Sequence, residues 1–232
     1  MSLINNVSAI LSYKTDLDDV VYSQNKVNSE DEISILDIDL KKIIPPPPKN
    51  SSDTTAREMK KISEAVASRS SKEIDLITTV DKEPLELFYS FLKEKNIKFP
   101  KHSFDEYYNI LEQYIYALKY HYNRARPEQL APFYNIELDV MYTDSHHTPA
   151  YPSGHTMYAA LAAHMLSEKY PTYKNKFFEL AKYCGLARIL QGVHYPSDNE
   201  ASFKATAVIY DAIKRRFEDE ERNQKIPGDR QS

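Results

Sequence analysis

The chain has one cysteine, four glycines and no apolar run long enough to cross a bilayer, and each shortage removes a class of protein. Cys184 alone cannot close an intramolecular disulfide, so nothing points to an oxidising compartment and a buried free thiol is its expected role. Four glycines and few alternating β-branched runs leave little material for a sheet. A basic surplus is also missing: 30 Lys and Arg stand against 34 Asp and Glu, a net charge of -4. Duplex nucleic acid needs a cationic face, so a general nucleic-acid binder is excluded. The apolar stretches are each broken by Lys, Glu or Pro, which argues against a membrane span. Met1 to Tyr13 lacks a basic flank ahead of Val7 to Leu11, and no small-residue cleavage pattern follows. A soluble, cytoplasmic protein with no membrane partner is therefore expected.

The 232 residues suffice for one sizeable core with appendages. Residues 1–42 carry clustered acids, Asp16, Asp18, Asp19 and then Glu30 to Glu32, without a sustained helical or alternating pattern. A partly ordered acidic arm is expected there. Pro45 to Pro48 must run extended, because four prolines fix φ and remove donors. The segment is a linker, a strap laid across the domain or an SH3-type ligand, and the last lacks basic specificity residues beyond Lys49. Residues 43–221 are expected to form one all-α domain and residues 222–232 a flexible tail.

The helical pattern begins after Pro48. Asp53 or Thr54 is expected to cap a helix to about Ser70, and Asp81 another to about Asn96. Ser103 opens a long helix in which Tyr107, Ile110, Leu111, Tyr114, Ile115 and Leu118 form an apolar stripe. Pro152 and Pro171 bound a helix from about Ser153 to Tyr170, whose Ala159 to Ala163 run allows close packing on several sides. Two more helices are expected, from about Lys174 to Leu190 and from about Asp198 to Glu221.

Three islands carry chemistry. Lys119 and Arg126 lie seven apart, which on one helix puts both on the same side, with Pro127 stopping the helix. A guanidinium fork there suits a tetrahedral oxyanion. Pro152-Ser153-Gly154-His155 opens the Ala-rich helix, where free N–H groups favour an anion, Ser153 adds a hydroxyl and Gly154 allows close backbone approach. Arg188 ends a helix and adds a third cation. His194 lies in the following loop, four residues before Asp198. A carboxylate on Nδ1–H leaves Nε2 free as a nucleophile. Three cations, two imidazoles and one carboxylate suit binding an oxyanion, attacking its central atom and protonating the leaving group. No His-Glu-x-x-His, cysteine cluster or Asp-rich set occurs, and the adjacent His146 and His147 should diverge in direction, so no metal or cofactor is expected.

The order and spacing of these islands resemble the signature of the phosphatidic acid phosphatase type 2 superfamily: Lys, six residues, Arg-Pro; Pro-Ser-Gly-His; and Arg, five residues, His, three residues, Asp. Within it, the tetraproline segment and Ala150 to Thr156 are similar to class A bacterial non-specific acid phosphatases. The resemblance covers about residues 40–217. It implies an all-helical core and metal-independent hydrolysis of small soluble phosphomonoesters, nucleotides among the candidates, through a phosphohistidine on His194. His155 would protonate the leaving group, Asp198 would orient His194, and Lys119, Arg126, Ser153, Gly154 and Arg188 would bind phosphate. Vanadate would mimic phosphate and inhibit. A homo-oligomer is implied by the resemblance alone. Where the family has Ser before the third-island Arg, this chain has Ala187, which removes one hydroxyl. Tyr151 is the expected aromatic wall for the leaving group. The alternatives are a vanadium-dependent haloperoxidase, disfavoured by chain length, and a non-catalytic phosphate-binding protein, disfavoured by the intact islands.

Overall fold

The computed structural model describes residues 36, 38–142 and 147–224, so the acidic arm before Leu36 and the tail after Gln224 lie outside the described residues. Within them the chain is all-α, with no strand. In chain order the helices are α1 (Leu40–Ile43), α2 (Asp53–Ala67), α3 (Ser71–Lys82), α4 (Glu86–Glu94), α5 (Lys101–Tyr122), α6 (Pro127–Leu130), α7 (Gly154–Lys169), α8 (Lys174–Leu190) and α9 (Pro196–Gln224).

Helix α7 is the centre of the bundle. It packs most extensively on α8, then on α9, with α5 on a further side. Ala159, Ala160, Leu161, Ala162 and Ala163 are all buried, so α7 has no solvent face over this run, and its small side chains let the neighbouring backbones approach. Helix α5 buries Phe104, Leu111, Tyr114, Ile115, Ala117 and Leu118, whereas Tyr107 and Ile110 are half-buried at the edge of that stripe. It ends at Tyr122, where Asn123 takes a left-handed conformation with φ 45°.

Three expectations are corrected. Ser52, not Asp53 or Thr54, caps α2, its hydroxyl accepting from Thr55 N–H at 3.2 Å. Helix α2 ends at Ala67, and a separate helix α3 starts from Ser70, which forms a reciprocal capping box with Glu73. Asp81 therefore lies in the last turn of α3 and does not cap α4, which begins five residues later at Glu86. Pro127 does not stop the long helix but opens the short α6, the position where its missing N–H costs nothing.

The polyproline segment lies against the domain. Ile43 and Ile44 are buried, the Ile44 carbonyl accepts from Tyr122 Oη at 2.7 Å, and the Pro45 carbonyl accepts from Tyr151 Oη at 2.7 Å.

Candidate active site

Helices α5 and α7 and two connecting loops bring the candidate residues to one cavity of about 420 Å³. Lys119 comes from the last turn of α5, Arg126 from the loop before α6, Gly154 and His155 from the first turn of α7, and His194 from the loop between α8 and α9. All five line the cavity, together with Thr148. Arg126 reaches it by a different route from the one its spacing suggests. The helix has already ended at Tyr122, and an extended Arg126 (φ -72°, ψ 157°), the conformation favoured before proline, turns the side chain inward.

His194 is held from both sides. Its Nδ1 lies 2.9 Å from Asp198 Oδ2, and its Nε2 lies 2.9 Å from Arg126 Nη1. A guanidinium has no lone pair to offer, so Nε2 must be the acceptor. Nδ1 then carries the proton and donates it to Asp198, while the Nε2 lone pair is taken by the Arg126 N–H. Burial, reinforced by the charges of Arg126, Lys119 and Arg188, pushes the imidazole well below its ordinary range and keeps it neutral. The loop that presents His194 turns at Gly192, whose φ of 87° suits glycine and where an added Cβ would stand 3.2 Å from Val140 Cγ2.

Asp198 is fully buried and satisfied on both oxygens. Oδ2 also accepts Tyr195 N–H at 2.9 Å, and Oδ1 accepts Arg124 Nη1 at 2.5 Å. Burial raises its carboxyl, with Arg124 as the main opposing influence. Arg124 in turn donates to Ser197 Oγ at 2.8 Å and to Glu58 Oε2 at 3.1 Å, and it lies over the Tyr195 ring at 3.8 Å. Glu58 completes the network by accepting Ser197 N–H at 2.6 Å. Helix α2 thus anchors the start of α9 through a buried Glu58–Arg124–Asp198 chain that ends on His194.

His155 lines the same cavity. Burial, then Arg188, Lys119 and Arg126, depress its imidazole well below the ordinary range, while a hydrogen bond to the Asp81 backbone carbonyl works the other way. The Asp81 carboxylate pairs with Arg188 Nη1 at 2.6 Å, so one residue of α3 touches both the candidate acid and a candidate phosphate cation. Lys119 donates to the Pro149 carbonyl at 2.6 Å; burial and then Arg126 lower its ammonium well below the lysine range. The Arg126 guanidinium is fixed by the Thr148 and Val193 carbonyls, each at 2.8 Å.

The remaining expected site residues stand further back. Arg188 is buried behind the wall, and Ala187 beside it brings no hydroxyl. Ser153 caps α7: its Oγ accepts from the Thr156 N–H at 3.4 Å, and its own N–H is given to Ser202 Oγ at 2.9 Å. Gly154 supplies first-turn backbone to the cavity, and a Cβ there would meet Lys119 Cε at an ordinary 3.8 Å. Tyr151 is not a cavity wall. It is 2% exposed, lies beneath the Pro45 carbonyl and packs edge-on against Tyr122. The aromatic residues that do line the cavity are Tyr108, Tyr116 and Tyr158. His147 also lines it, while His146 lies outside the described residues.

A buried histidine with its carboxylate partner thus shares one cationic cavity with a second histidine. Residues 107–220 match the family described as the PAP2 superfamily, so this part of the chain is a PAP2 superfamily domain, and it contains every one of the three islands. No curated protein matches the chain. Among solved structures, the crystal structure of the first transmembrane PAP2 type phosphatidylglycerolphosphate phosphatase from Bacillus subtilis is similar at 17% identity and a TM-score of 0.39, covering 93% of each chain. No helix among the described residues is long and apolar enough to cross a membrane.

Proposed function

We propose that this chain hydrolyses phosphomonoesters through a covalent phosphohistidine on His194, with no metal ion taking part. The observation that carries the proposal is the line Asp198–His194–Arg126, which fixes the tautomer and places the Nε2 lone pair under the Arg126 guanidinium at a cationic cavity. A phosphoryl dianion would draw the Arg126 guanidinium onto its oxygens and expose that lone pair to phosphorus. Lys119, Arg126 and the first-turn N–H groups of α7 would carry the equatorial oxygens, and Arg188 would add charge from behind.

In the first step the Nε2 lone pair forms the N–P bond while the ester P–O bond breaks. Its electron pair leaves on the alcohol oxygen, which takes a proton from His155. In the second step His155 takes a proton from water, the water oxygen bonds to phosphorus, and the N–P electron pair returns to Nε2, releasing phosphate. Asp198 holds the imidazole and offsets its positive charge while the intermediate exists. Side-chain cations meet the charge demand of this scheme, so it needs no cofactor.

Within the superfamily, the contact between Pro45 and Tyr151 supports a relation to class A acid phosphatases, because it joins the tetraproline segment to the central motif. The cavity of about 420 Å³ favours a small soluble ester. Hydrolysis of p-nitrophenyl phosphate and nucleoside monophosphates, in EDTA and with vanadate as inhibitor, tests the proposal against His194→Ala. Turnover by the wild type and none by the variant is the expected result; EDTA-sensitive turnover or an active variant would overturn it.

A further inference from the structure

The cavity is electrically bipolar. Along α5 its lining runs Tyr108, Glu112, Tyr116, Lys119, residues that share one helical face. Glu112 and Lys119 are seven residues apart, a rise of about 10 Å, so a carboxylate stands two turns beyond the ammonium that faces the oxyanion. Glu83, from the loop after α3, is a second acidic lining residue, one of its carboxylate oxygens accepting the Leu85 N–H at 3.1 Å. Among the described lining residues Lys119 and Arg126 are the only Lys or Arg, and both belong to the oxyanion end.

Tyr108, Tyr116 and Tyr158 line the same cavity as these two acids. Tyr108 and Tyr158 meet edge to face at 4.5 Å and 86°, and Tyr108 Oη donates to Glu112 Oε1 at 2.8 Å. The negative field reaches these rings: burial first, and then Glu112 at Tyr108 and Glu83 at Tyr158, raise both phenols above their ordinary range. Two carboxylates and a set of tyrosine faces are the chemistry that receives an ammonium, by ion pairing and by cation–π contact. The same groups repel a second phosphate or a carboxylate on the alcohol.

We infer that the alcohol portion of the substrate carries a positive charge, and that Glu112 and Glu83 select it, the ester being an aminoalkyl phosphate in its simplest form. This rests on the hydrolytic reading of the site for turnover, but the charge preference itself is a property of the cavity. Glu112 and Glu83 are specificity-determining residues and take no part in the bond changes.

Three esters of matched length separate the possibilities: aminobutyl phosphate, pentyl phosphate and carboxybutyl phosphate, measured on the full chain by kcat/KM and by the rise in Tm each causes. The expected order is ammonium, neutral, carboxylate, with about tenfold between neighbours, the effect of roughly one partly screened charge pair. Glu112→Gln and Glu83→Gln should each shrink the step between aminobutyl and pentyl phosphate, while vanadate binding reports that the oxyanion end of each variant is intact. A flat or reversed order, or an order untouched by both variants, would overturn the inference. Absence of turnover with every ester and with p-nitrophenyl phosphate would remove the hydrolase reading. The order of the Tm shifts would still decide the charge preference, and no shift with any ester would end that too.

Discussion

Arg126 Nη1 lies 2.9 Å from His194 Nε2, and a guanidinium can only donate. The resting contact therefore occupies the lone pair that would attack phosphorus, and it reads out the protonation state of the ring. His194 is neutral, with its proton on Nδ1 toward Asp198. Substrate binding and unmasking of the nucleophile are then one event, since the oxygens that attract Arg126 arrive with the phosphorus that His194 must reach.

Two histidines in one cavity are separable by leaving group. His155→Ala should keep turnover of p-nitrophenyl phosphate, whose phenolate leaves without a proton, and should lose alkyl phosphates by about 10²–10⁴-fold, the usual worth of general acid catalysis. Steady-state kcat on the two ester types measures this. Equal loss on both would mean that His155 is not the proton donor.

The pH dependence follows from the direction of both shifts. His155 and His194 are each depressed by burial and by the surrounding cations, so both are held neutral and the proton that His155 must donate is taken up only in acid. The kcat/KM profile should rise toward acid pH. A bound phosphoryl group offsets Lys119, Arg126 and Arg188, so the limb for kcat, which reports the complex, should lie at higher pH than the limb for kcat/KM. For stability the sign is fixed by linkage. The unfolded histidines take protons from about pH 6.5 downward and the folded ones do not, so the ligand-free protein should lose stability as pH falls below that value. Urea midpoints at a series of pH values test this, and a constant midpoint across the range would contradict the depressed imidazoles.

Arg124 is the hub of the support behind the nucleophile. Arg124→Met would leave Glu58 and Asp198 buried without their cation, and a loss of about 3–5 kcal/mol is expected from removing one partner of such a network. Denaturant unfolding gives that number. Glu58→Gln in the same assay should cost less, because an amide still accepts from Ser197 N–H.

Gly192 carries the turn that delivers His194. Gly192→Ala must place a Cβ at φ 87° and 3.2 Å from Val140 Cγ2. A destabilisation of about 1–2 kcal/mol is expected from the left-handed backbone alone. The accompanying shift of the loop should lower kcat more than it raises KM.

The sequence made some of this legible and hid the rest for physical reasons. Helices α7 and α8 were readable to within a residue because prolines and a proline-led turn bound them. Helix α3 was hidden, although Ser70 and Glu73 spell a capping box, because Ser70 also fits the end of the preceding helix and Asp81 fits the cap of the next. Lys119, Arg126, Gly154, His155 and His194 line one cavity, yet the helix supposed to align the first pair stops short of Arg126. Asp81, Glu58 and Arg124 had no local signal at all. Each is a charged residue on or near a helix, and only long-range packing shows that it is tied to Arg188, Ser197 or Asp198. Tyr151 failed as a wall because the strap covers it, a contact over 106 positions that local pattern cannot show.

Trapping the intermediate tests the central claim most directly. Acid-free quenching of the enzyme with p-nitrophenyl phosphate, followed by mass mapping, should find a phosphoryl group on His194, stable to base, released by acid and absent from His194→Ala. A phosphoryl group on any other residue, or full turnover by His194→Ala, would contradict the account.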